Sequence, residues 1–203
     1  MRAFKKHTGV IVPLDRINVD TDQIIPKQFL KVTEKNGLGR SLFYDWRFNV
    51  DGEPRADFIL NQQRYRNGTV LLTRRNFGCG SSREHAVWAL ADYGFKVLLA
   101  PSYADIFYNN CFKNGILPVA LDEEAITLLF KESVETDGYS VHVDLTNQLI
   151  RKPNGSEIRF VIDQFRKHCL LEGLDDISLT LQHENKIRSH ENKLRPFQII
   201  VEG

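Results

Sequence analysis

Two apolar runs of strand length, residues 69–73 (Thr-Val-Leu-Leu-Thr) and 97–100 (Val-Leu-Leu-Ala), enclose a glycine-containing loop and a helical stretch over about residues 83–93 that stops at Gly94. Strand, loop, helix and strand in that order make a βαβ unit. The alternation continues. A helix is expected over residues 103–113, ending near Gly115, then a strand over 116–121 and a helix opened by Asp122, whose acidic first turn suits a helix N-terminus. Such alternation commits the core to the α/β class.

The flanks carry other patterns. Residues 8–14 (Thr-Gly-Val-Ile-Val-Pro-Leu) read as a strand that runs into a compact acidic turn over 19–26. Residues 31–57 hold no sustained helical or strand period, and a connection that long inside a folded unit is usually functional. Phe43, Tyr44, Trp46 and Phe48 within it point to a loop that packs on something. Over 138–162 the apolar residues alternate, with Tyr139, Val141, Val143 and Leu145 before a Pro-Asn-Gly-Ser turn and Ile158, Phe160 and Ile162 after it, which predicts antiparallel hairpins. Residues 164–203 are expected to form a helical C-terminal tail, with Phe165, Cys169 and Leu170 on one face of a first helix and Ile177, Leu181 and Ile187 continuing in a second. The 203 residues suffice for one sizeable domain, and 1–203 is read as one, extended by that tail.

Composition narrows the function classes. Hydrophobic residues at 42% and charged residues at 26% are those of a folded soluble protein, and a formal net charge of +1 gives no broad attraction for nucleic acid or a membrane surface. No segment reaches transmembrane length and the first residues lack the apolar stretch of a signal peptide, so a cytoplasmic location is expected. Cys79, Cys111 and Cys169 are odd in number and widely spaced, which fits reduced thiols rather than a disulfide framework.

The chemistry concentrates in residues 76–85, Asn-Phe-Gly-Cys-Gly-Ser-Ser-Arg-Glu-His, between a strand and a helix. A helix N-terminus offers free N–H groups and a positive dipole end to an anion. Gly78 and Gly80 let the backbone come close to a ligand, and Ser81, Ser82 and Arg83 add hydroxyl and guanidinium donors suited to a carboxylate. A dinucleotide fingerprint would need glycine at Arg83, a hydrolase elbow glycine at Glu84, and a phosphate loop Gly-Lys-Ser/Thr, so those readings fail. Taken locally, Ser81 and Glu84 match the Ser-x-x-Glu spacing of a capping box that opens a helix. That reading coexists with a chemical one, because N–H groups at a cap also stabilise an alkoxide on Ser81. Cys79 reads as a small packed or capping residue, since no Cys-x-x-Cys supplies paired thiolates. His85 reads as an exposed or hydrogen-bonded helix residue, and Asp20 and Asp22 as a turn bonded to its own backbone, with acid, base or metal-ligand roles open.

Three segments occur in order: 18–26 (Asn-Val-Asp-Thr-Asp-Gln-Ile-Ile-Pro), 76–86 (the loop above with Ala86) and 109–118 (Asn-Asn-Cys-Phe-Lys-Asn-Gly-Ile-Leu-Pro). Together with 42–47 (Leu-Phe-Tyr-Asp-Trp-Arg) they resemble the small-subunit family of bacterial 3-isopropylmalate dehydratases over nearly the whole chain. The resemblance implies a swivelling β/β/α domain like the C-terminal domain of aconitase. It implies dehydration of 2-isopropylmalate and rehydration to 3-isopropylmalate in leucine biosynthesis. It also implies a large-subunit partner bearing a 4Fe-4S cluster, with no cofactor and no metal bound by this chain. By the same resemblance Ser81 is the base toward the carbon-bound proton, Ser82 and Arg83 hold a substrate carboxylate beside the Gly80 backbone, and Asp22 supports the site. Leu30 or Lys31 would open the loop that meets the isopropyl group. The alternatives are a related diacid hydro-lyase of the homoaconitase or citraconate type, told apart by the lining of that loop, and an anion-binding module without turnover.

Overall fold

The computed structural model describes residues 1–31 and 35–192. Among them are β1 (Lys6–Leu14), β2 (Val70–Thr73), β3 (Val97–Ala100), β4 (Leu117–Ala120), β5 (Ser140–Asp144), β6 (Leu149–Arg151) and β7 (Glu157–Arg159). They form one seven-stranded sheet in the order β4-β3-β2-β1-β5-β6-β7. Strand β1 is the seam. Its second half pairs in parallel with β2, Ile11 opposite Val70 and Leu14 opposite Thr73, and its first half pairs antiparallel with β5, Lys6 opposite Asp144. The strand therefore begins at Lys6, earlier than its apolar run, because β5 supplies a partner for Lys6 and His7.

The acidic turn after β1 winds into α1 (Thr21–Ile24), and α2 (Tyr44–Arg47) lies in the long loop. The parallel half of the sheet follows the predicted alternation. Helix α3 (His85–Tyr93) joins β2 to β3 and α4 (Asp105–Lys113) joins β3 to β4. Next comes α5 (Glu123–Glu135), opened by Asp122, whose side chain accepts the Ala125 N–H at 2.6 Å. Leu71 and Leu98 enter one core with Val12, Val87 and Leu90, while Val70, Leu72, Val97 and Leu99 enter a second with Ile126, Leu129, Val141 and Val143. A strand covered on both faces has no solvent side, which is why β2 and β3 read as unbroken apolar runs. Each such Val or Leu contributes about 1.5–3 kcal/mol by leaving water.

The expected hairpins are the antiparallel meander β5-β6-β7. In the loop that starts at Lys31, residues 32–34 lie outside those described; the rest folds as short pieces, a 3-10 turn at Gly39–Ser41, then α2, with Leu42 and Phe43 fully buried. Phe43 stacks on Trp46 at 5.6 Å between ring centroids, and the N–H groups of Gly37 and Gly39 both donate to Asp92 Oδ2 on α3, at 2.9 and 2.7 Å.

The tail corrects one expectation. Among the described residues it holds α6 (Gln164–Glu172), α7 (Asp176–Leu181) and α8 (Glu184–Glu191), so the expected second helix is split near His183. Cys169 and Leu170 are buried, but Phe165 is 61% exposed, because α6 meets the core through its second half only. Ile177, Leu181 and Ile187 are exposed as well, and the expected continuation over 193–203 lies outside the described residues.

Candidate active site

Strands β1 and β2 end side by side, Leu14 opposite Thr73, so the segments leaving them emerge together at the carboxyl edge of the parallel sheet, where α/β proteins place ligands. Backbone and amide bonds then lace the two segments. The Asn18 N–H donates to the Arg75 carbonyl at 3.0 Å, Gly78 N–H to Val19 at 2.7 Å and Thr21 N–H to Cys79 at 2.8 Å. Asn76 Nδ2 adds a bond to Asn18 Oδ1 at 2.9 Å. The two glycines serve this contact. At Gly78 (φ 77°) a Cβ would lie 2.1 Å from the Phe107 ring on α4, and at Gly80 (φ 95°) it would lie 3.2 Å from the Asp20 Cβ. Gly78 is thus required by the packing of the loop on α4.

The capping-box reading of Ser81 and Glu84 does not hold. Helix α3 starts at His85 with Glu84 in the cap position and no side-chain cap. Ser81 turns instead to the acidic turn: its Oγ lies 2.9 Å from Thr21 Oγ1, and that same oxygen accepts the Ser81 N–H at 3.1 Å. Glu84 turns the other way, its Oε1 accepting from Asn114 Nδ2 at 2.6 Å. Remote partners have won over a local one. The real capping box is at Asp20, whose side chain accepts the Gln23 N–H while the Gln23 side chain accepts the Asp20 N–H, in keeping with the turn-bonded reading of Asp20.

Asp22 is directed outward. Its Oδ1 accepts from Arg83 Nη1 at 2.5 Å and its Oδ2 lies 3.2 Å from Lys27 Nζ, so one carboxylate holds two cations. Arg83 and Asp22 are 36% and 38% exposed, half-open to an incoming anion. Ser82 and the backbone of Gly80 are exposed beside them. Ser81, Arg83 and Asp22, named separately in the sequence, are therefore brought to one surface. Leu30 is half-buried against the core next to Phe29, and Lys31 is exposed. Cys79 is half-exposed, with its thiol pKa raised by burial and then by Asp20. His85 lies against Trp88, ring centroids 4.6 Å apart.

Nothing in the local sequence singles out Thr21 or Lys27. Thr21 is 2% exposed and touches Ser81, yet lies between two aspartates that draw attention from it.

The cysteines do not fit an iron-sulfur cluster. Cys111 and Cys169 are buried on α4 and α6 and Cys79 is half-exposed in the loop before α3, so the three stand on separate elements, whereas a cluster takes several cysteines gathered at one place. No group of three or more His, Cys, Asp or Glu among the described residues is gathered to hold a metal ion. No described helix is long and apolar enough to cross a membrane.

Comparison with known proteins identifies the family. The family described as aconitase C-terminal domain matches residues 1–124, and the family described as the C-terminal domain of the 3-isopropylmalate dehydratase small subunit matches residues 176–198. A protein of Brevibacillus brevis named 3-isopropylmalate dehydratase small subunit is 58% identical over 191 residues, covering 94% of this chain and 98% of that protein. A protein of the same name from Neisseria gonorrhoeae is 54% identical, covering 98% of this chain and 97% of its own length. The crystal structure of 3-isopropylmalate dehydratase from Methanocaldococcus jannaschii superimposes with a TM-score of 0.66 at 27% identity, covering 92% of this chain and 99% of that one. The fold and these likenesses agree, and the chain belongs to the 3-isopropylmalate dehydratase small-subunit family, built on the aconitase C-terminal domain.

Proposed function

We propose that the chain supplies the proton-transfer and carboxylate-binding groups of a cytoplasmic 3-isopropylmalate dehydratase, a hydro-lyase of leucine biosynthesis, in complex with a large subunit. One observation carries the reading: Ser81 joined to Thr21, and Arg83 joined to Asp22, on one half-open surface at the ends of β1 and β2. The 4Fe-4S cluster belongs, on this reading, to the large subunit. The chain itself takes the carbon-bound proton. Removing a proton beside a carboxylate builds negative charge on that carboxylate, and positioned donors stabilise it. Ser81 Oγ is the acceptor. Thr21 Oγ1, donating its proton to Ser81 Oγ, stabilises the alkoxide form, and the uncapped first turn of α3 adds its positive dipole end. Arg83 presents the rest of its planar fork to the substrate carboxylate while Asp22 fixes its near edge, with Ser82 as a further donor. Leu30 and Lys31 open the loop that reads the isopropyl group.

The test is reconstitution. The purified, untagged chain alone should carry no stoichiometric iron and no dehydratase activity, and mixing it with a cluster-loaded large subunit should give turnover of 2-isopropylmalate. A complex that assembles but leaves 2-isopropylmalate untouched would sink the proposal.

A further inference from the structure

Asn114 closes α4 and commits its whole side-chain amide to three different elements. Its Nδ2 donates to Glu84 Oε1 at 2.6 Å and to the Asn110 carbonyl at 2.9 Å, and its Oδ1 accepts from Lys35 Nζ at 3.1 Å. The amide orientation is forced, since the carboxylate demands a donor and the ammonium an acceptor. Glu84 is the residue after Arg83 and holds the cap position of α3. Lys35 belongs to the long loop, and also sits over the Trp88 ring of α3 at 5.2 Å. Two residues further on, Gly37 and then Gly39 are fastened to Asp92 of the same helix. Helix α3 is thus a splint with the anion-binding loop at its start and the long loop laid along it, and Asn114 clamps the two where they meet.

We propose that Asn114 is a positioning residue that sets the long loop, the reader of the substrate's alkyl group, in register with Glu84 and the Arg83 carboxylate site. This rests on the proposed dehydratase reading for the identity of the substrate, but the clamp itself is a property of the chain alone. The bond pattern makes a reciprocal prediction. In Asn114→Asp the Lys35 contact survives, but a carboxylate now faces the Glu84 carboxylate and the clamp opens. Adding Glu84→Gln restores a donor opposite an acceptor with the direction reversed, so the double variant should close again except for the lost bond to Asn110.

Two readouts separate the outcomes. In the reconstituted complex, Asn114→Asp should lower kcat/KM for 2-isopropylmalate by roughly tenfold, the size of one lost hydrogen bond to a charged group, and lower it less for 2-methylmalate, so that discrimination between the two substrates shrinks. The double variant should recover most of both. In the isolated chain, amide hydrogen exchange should speed up over 35–41 and 82–87 in Asn114→Asp and slow again in the double variant. Parallel losses on both substrates, or a double variant no better than the single one, would overturn the positioning role. Exchange that behaves as described in the isolated chain, beside a reconstituted complex with no activity on 2-isopropylmalate, would keep the clamp and remove the substrate assignment.

Discussion

Thr21 and Ser81, separated by 60 positions in the chain, bring their hydroxyl oxygens within 2.9 Å of each other. That contact turns Ser81 away from helix capping, so its loss should act on chemistry more than on folding. Ser81→Ala should lower kcat by roughly 10²- to 10⁴-fold, as for a lost general base, with the melting temperature of the complex nearly unchanged. Thr21→Val should lower kcat by a smaller factor. A stable Ser81→Ala complex with near-normal kcat would take Ser81 out of the mechanism.

On the proposed function Arg83 has a different task. Arg83→Lys keeps the charge but gives up the planar fork that Asp22 holds at one edge. Steady-state kinetics should show a higher KM together with slower turnover, and assembly with the large subunit should persist. An unchanged KM would place the substrate carboxylate elsewhere.

Gly78→Ala probes the loop from behind. The added methyl would meet the Phe107 ring at 2.1 Å in a backbone with φ 77°, and overpacking of this kind costs about 1–3 kcal/mol. Chemical denaturation of the isolated chain should reveal the loss. A variant as stable as the parent would mean that the loop lifts freely off α4.

The sheet seam carries a pH dependence. His7 Nε2 lies 2.7 Å from Thr69 Oγ1, and burial, then Lys96 and His142, lowers its pKa below the ordinary 6.5. The unfolded chain takes up its proton at higher pH than the folded one, so this stability is complete above about pH 6.5 and is lost as pH falls from there toward the depressed folded value. His7→Gln should flatten the fall of melting temperature below that pH. Equal slopes in parent and variant would assign the acid sensitivity to other groups.

What could be read from the sequence was local. The runs at β2 and β3 announce themselves because both faces are buried, and Asp122 announces α5 because a cap acts on its own helix. The pairing of Lys6 with Asp144 leaves no such trace, since nothing in either segment names the other. Ser81 and Glu84 were misleading for the same reason: their spacing is that of a cap, while the partners that claim them, Thr21 and Asn114, lie far away in sequence. Phe165 has helical spacing to Cys169, but periodicity does not say where the neighbouring core stops.

The position of β1 has a consequence for the nascent protein. The strand leaves the ribosome before β2 and β5, yet its first half acquires a neighbour only when Ser140–Asp144 has been made. For most of synthesis that half is an open edge, the kind of surface on which unfinished chains stick to one another. The residues along it are Lys6, His7, Thr8, Gly9 and Val10, preceded by Lys5, so Val10 is its one large apolar side chain, while Ile11 and Val12 lie in the half that β2 covers earlier. Charge at an unpaired edge discourages pairing with a stranger, so this short, mostly polar stretch guards the growing chain until its own partner strand arrives.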